Sequence, residues 1–180
     1  MLRIIIPESE LWDENKQEFI RMKKQELRLE HSLVSLSKWE SKWHKAFLSN
    51  RTKTREETLD YIKCMTLTQN VNPEVYKCLT NENFKQIEEY IRNPMTATYL
   101  PKDKSVKNSR EVVTSELIYY WMISLNIPPE YQKWHLNKLI SLIDVCNRKN
   151  NPSRRRNNRD IMSDNAALNA ARRKRWNTKG

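Results

Sequence analysis

The residues of this chain that could do chemistry are three histidines, three cysteines, a few paired carboxylates and two runs of arginine, and their spacing decides what each can do. His31, His44 and His135 pair neither with one another nor with Cys64, Cys78 or Cys146 at the close intervals that zinc sites use, so no metal is expected. The cysteines are odd in number and far apart on apolar helix faces, which reads as reduced thiols in a cytoplasm rather than a disulfide framework. Glu30-His31-Ser32 holds the residue types of a hydrolytic triad. Neighbours on a strand point to opposite faces, however, and cannot align as nucleophile and base. Glu56-Glu57 and Glu88-Glu89 read as helix surface pairs rather than acid–base pairs. With one glycine in 180 residues there is no phosphate-cradling loop, dinucleotide fingerprint or nucleophile elbow. No catalytic residue and no cofactor are therefore expected; the chain reads as a non-enzyme.

Charge is the feature with a physical case for binding. The formal net charge is +11, and residues 153–180 carry nine Lys/Arg against two Asp, a net of +7. Arg154, Arg155 and Arg156 form one cluster, and Arg172, Arg173, Lys174 and Arg175 a second, with Trp176 beside it for stacking. Such a segment can engage phosphates through counterion release, dock on an acidic protein surface, or serve solubility alone. Neither a helix-turn-helix nor a ribonucleoprotein signature accompanies it. No apolar run approaches the ~18 residues of a membrane span. The start, Met1 to Pro7, is too short for a signal peptide and meets Glu8 and Glu10.

The elements that would position these residues are mostly helical. Leu2 to Ile6 is β-branched and closed by Pro7, and 26–31 alternates with Leu27, Leu29 and His31 on one face, so the two should pair as a small sheet. Glu8 to Gln25 fits no single period. Ser32 caps a helix whose Leu33, Leu36, Trp39, Trp43 and Phe47 should face the core. Thr54-Arg55-Glu56-Glu57 has capping-box form, ahead of an apolar face of Leu59, Ile62, Cys64, Met65 and Leu67. Asn72-Pro73 starts a short helix, and Thr80 another with Phe84, Ile87, Tyr90 and Ile91 inward, ending at Asn93-Pro94. Met95 to Asn108, with Lys102, Lys104 and Lys107, reads as an exposed loop. The most apolar stretch is Ser109 to Asn147. Val112, Val113, Leu117, Ile118, Tyr120, Trp121 and Leu125 form one stripe and Asn126 to Pro129 breaks it. Tyr131, Trp134, Leu136, Leu139, Ile140, Leu142, Ile143 and Cys146 form the next, which predicts an antiparallel helical hairpin. Arg148 to Arg159 reads as a linker, and a helix from Asp164 as marginal and disordered until a partner arrives. The expected fold is mainly α (α+β): a compact helical domain over 1–150 around that hairpin, with an N-terminal two-stranded sheet, and a basic C-terminal arm over 151–180.

Leu29 to Trp43, read as LEHSLVSLSKWESKW, resembles the tail assembly chaperones of long-tailed bacteriophages, in particular those of actinobacteriophages. Glu56 to Ile62, Pro94 to Thr98, Ile118 to Ile123, Gln132 to Asn137 and Leu168 to Arg173 are similar to the same family, so the likeness covers most of the chain. It implies a non-enzymatic factor in the host cytoplasm, absent from the mature virion. Such a factor binds the tape measure protein and keeps it soluble while tail tube subunits polymerise. Further implied partners are those subunits and a frameshift-extended form of the chain itself. Nucleic acid, held through the basic arm, is the alternative partner; no membrane is expected.

Overall fold

The computed structural model describes residues 1–13, 17–98, 112–150 and 158–176. The fold class is the expected one, mainly helical α+β. Strand β1 (Leu2–Ile6) pairs antiparallel with β4 (Gln25–Leu29), Ile4 opposite Leu27. Ile4, Ile6, Leu27 and Leu29 turn into the core while Ile5 faces out, as alternation on a half-buried strand requires. The far edge of β4 is not left open. Glu30 donates its amide to the Met65 carbonyl at 2.9 Å, and Leu67 donates to the Arg28 carbonyl at 2.8 Å.

Between these strands lies a second hairpin, β2 (Ser9–Asp13) on β3 (Glu18–Met22), in the stretch that fits no single period. Leu11, Ile20 and Met22 share the face that joins the core. Trp12 and Phe19 pair on the opposite face, edge-on at 4.9 Å, and both are exposed. Apolar residues on both faces blur the period of two, which is why alternation does not reveal this ribbon.

The centre of the fold differs from the expectation. Helix α1 (Leu33–Trp43), not a hairpin of the two later helices, is the common packing surface, meeting α2 (Arg55–Met65), α4 (Ser115–Ser124) and a 3₁₀ turn at Pro129–Lys133. Val112 and Val113 precede α4, which starts only after its cap Thr114, and Tyr120 on it is exposed. Tyr131 falls in the 3₁₀ turn and Trp134 follows it, so α5 (Leu136–Asn150) begins late and buries Leu136, Leu139 and Ile143. The break between the apolar stripes is thus a structured connection from Leu125 to His135 rather than a four-residue turn. Phe47 lies beyond the end of α1 yet is buried, whereas Trp43 is only half-buried.

Local signals read well. Ser32, Thr54 and Thr80 each cap a helix in reciprocal capping boxes with Ser35, Glu57 and Asn83, the last opening α3 (Asn81–Arg92). Asn72 caps the 3₁₀ turn Pro73–Cys78. With no glycine available, Gln17, His44, Asn70, Met95 and Asn126 take positive φ, each at some conformational cost that asparagine bears best. The chain divides into two compact units, Met1–Asn147 and Arg148–Gly180. In the second, α6 (Asn158–Trp176) starts six residues before Asp164, where the helix was expected to begin. The expected linker is likewise narrower, since Arg148 to Asn150 belong to α5 and Asn158 and Arg159 to α6. No helix among the described residues is long and apolar enough to cross a membrane.

Candidate functional site

The triad residue types at Glu30-His31-Ser32 go to three separate partners. Glu30 accepts from the Tyr90 hydroxyl at 2.7 Å, His31 Nδ1 meets the Tyr61 hydroxyl at 2.5 Å, and Ser32 caps α1. His31 and His135 pack edge to face at 5.1 Å in the core. His135 Nδ1 accepts the Asn137 amide at 3.3 Å, so Nε2 carries the proton that it donates to the Tyr90 carbonyl at 3.0 Å. Burial, and then the neighbouring His135, push the His31 imidazole down to about 3. Burial likewise lowers His135, against the opposing pull of the Tyr90 carbonyl and Glu30. This pair is neutral core structure that pins β4, α3 and α5 together. Among the described residues no three His, Cys, Asp or Glu side chains gather as metal ligands.

Glu57, expected on a helix surface, is buried instead. Its Oε1 accepts from Lys45 at 2.7 Å and its Oε2 from the Thr54 amide at 2.8 Å. Those bonds hold the carboxyl below its ordinary range, the one from Lys45 foremost. Asp60 accepts from Trp43 Nε1 at 3.0 Å and pairs with Lys42. Burial works to raise its carboxyl, but the bonds from Lys42 and Trp43 outweigh that and lower it. The basic loop after α1 is in this way fastened to α2, with Arg51 also within 3.8 Å of Glu57.

Beyond this ionic seam the surface opens. A groove of about 420 Å³ lies between α2 and α3, lined by Tyr61 and Ile62 from one and Phe84, Ile87 and Ile91 from the other. Its floor is an aromatic stack, Phe47 on Tyr61 with ring centres 3.8 Å apart and planes inclined by 27°. Thr58, Glu88 and Arg92 stand along the rim. Lys53 closes one side, its ammonium 4.2 Å from the Phe47 ring centre. Burial pushes that ammonium below its ordinary value, with Glu57 opposing. A second cavity, about 470 Å³ and more polar, is lined by Glu40, His44, Lys45, Thr114 and Glu116 among others. Phe47, Tyr61, Ile62 and Ile87 are themselves buried, so the apolar surface that the groove offers to solvent comes from the half-buried Phe84 and Ile91.

The residues singled out from composition lie elsewhere. Arg154, Arg155 and Arg156 lie outside the described residues, and so do the long loop's Lys102, Lys104 and Lys107. Arg172, Arg173 and Trp176 are exposed on α6, which also carries Lys174 and Arg175, whose side chains lie outside the described residues. Sequence reasoning did not find the groove. Phe84, Ile87 and Ile91 were legible as one apolar face, but nothing local says that the face is only partly covered. Comparison with protein-family models, with curated proteins and with solved structures finds no match to this chain.

Proposed function

We propose that this chain is a tail assembly chaperone of a long-tailed phage, acting in the host cytoplasm by covering apolar helix faces of the tape measure protein rather than by catalysis. The observation that carries this reading is the groove between α2 and α3, floored by Phe47 and Tyr61 and open to the surface. The resemblance of Leu29–Trp43 and the further stretches to that family supplies the client. A long amphipathic client left uncovered aggregates, and a helix-in-groove contact removes the apolar surface responsible. Co-expression with the phage's tape measure protein should raise the soluble yield of that protein. No change at any ratio of the two chains overturns the reading. Mass spectrometry of purified particles should find no copy of this chain in finished tails.

One observation favours a second reading. Arg172, Arg173 and Trp176 are all exposed near the end of α6, a combination that supports binding to nucleic acid by phosphate contact and stacking. That reading requires binding that falls steeply with added salt and disappears on removal of residues 153–180.

A further inference from the structure

We infer that the α2–α3 groove selects helical segments in which a carboxylate flanks the apolar anchor, with Lys53 as the residue that does the selecting. This rests on the groove being the client site.

The ionic neighbourhood carries the inference. Lys42, Lys45 and Arg51, from the same region of chain, each reach a carboxylate of α2. Arg92, across the groove, is matched by Glu88 one turn before it, at 2.5 Å. Lys53 makes no ion pair with any described residue, and its half-buried ammonium rests on the face of Phe47. The rim therefore presents a cation beside an apolar floor, and the carboxylate that acts on it, Glu57, is already engaged by Lys45 and the Thr54 amide. A cation–π contact steadies such a group but does not neutralise it.

Docking removes more water from Lys53, and the partner's chemistry decides the sign of the result. A purely apolar helix would bury the ammonium without a counter-ion, which is unfavourable. A lysine-flanked helix would add repulsion. A glutamate or aspartate one turn from the anchoring side chain reaches the ammonium while the anchor fills the groove, so the charge discriminates where the apolar contact alone does not.

Fluorescence anisotropy on the full chain tests this with three labelled synthetic helices, each about 18 residues so that helix formation is not limiting. The first is alanine-based with leucine anchors flanked by glutamate, the second has lysine for glutamate, and the third alanine for leucine. The first should bind at least about tenfold more tightly than either of the others. Lys53→Glu should lose about tenfold or more for the glutamate probe and gain for the lysine probe. Lys53→Met, which keeps the apolar stem, should reduce the preference without reversing it. Because the basic arm also attracts acidic peptides, the Arg172→Ala/Arg173→Ala variant serves as control and should bind the glutamate probe within about twofold of the parent chain.

Any of these overturns the inference: unchanged discrimination in Lys53→Glu, equal binding of the leucine-free probe, or loss of binding in the arm variant alone. A dimer broken by Ile91→Glu, with no probe bound by either form, assigns the groove to a second copy and also overturns it. If the probes discriminate but the tape measure protein gains no solubility, the client is wrong and the groove chemistry stands. The reverse outcome removes the role of Lys53 and leaves the chaperone reading intact.

Discussion

The Glu40 carboxylate is buried and accepts two backbone amides, that of Phe47 at 2.8 Å and that of Ser115, 75 positions along the chain, at 2.7 Å. It thereby fixes the turn that carries Phe47 into the groove floor and supplies a negative charge to the first turn of α4. Glu40→Ala leaves both amides without an acceptor and should lower unfolding free energy by on the order of 3 kcal/mol in urea titrations. Glu40→Gln keeps one acceptor and should cost less. His31 gives a pH prediction. Its folded pKa, about 3, lies below the ordinary 6.5, so the unfolded chain binds the extra proton between those values. The stability that comes from keeping it neutral is complete above about pH 6.5 and is lost as pH falls toward 3. The urea midpoint should therefore drop between pH 7 and pH 4. A His31→Gln chain, although weaker at pH 7, should show a shallower drop. An equal slope in both chains would remove His31 from the account.

Elements divide into those that announce themselves and those that do not. Ser32, Thr54 and Thr80 were legible as caps because a capping box is written within four residues. Thr54→Ala should cost about 1 kcal/mol by thermal or urea unfolding. Thr54→Ser, which retains the hydroxyl, should restore most of it. The β2–β3 ribbon was not legible, since Trp12 and Phe19 place apolar surface on its solvent face. The start of α4 was misplaced by the apolar Val112 and Val113, whose spacing extends the helix stripe although Thr114 begins the helix. Tyr131 and Trp134 mislead in the same manner: they stack on each other at 4.2 Å in the connection that precedes α5 and are not part of that helix.

At the scale of the molecule, charge and fold are separable. Of the net +11, residues 153–180 hold +7, as their nine Lys/Arg and two Asp show. A chain shortened to residue 152 should leave a cation exchanger at clearly lower salt than the full chain. Coincident elution would mean that the charge of the arm is masked. The helix expected of the arm is α6, longer than its few large apolar residues suggest, because its alanine-rich sequence supplies propensity that a count of such residues undervalues.

What the sequence by itself determined is what neighbours within a turn or two can specify. That covers the caps, the β1 and β4 strands, the mainly helical class and the placing of charge at one end. The tertiary structure alone decided that α1 is the common packing surface and that Glu40 meets Ser115. It also brought His31 against His135 and set Lys53 over the Phe47 ring at the mouth of a groove. The physical reason is range. Propensity and capping act over a few residues, whereas which apolar faces cover one another, and which remain open, follows from packing the whole chain at once.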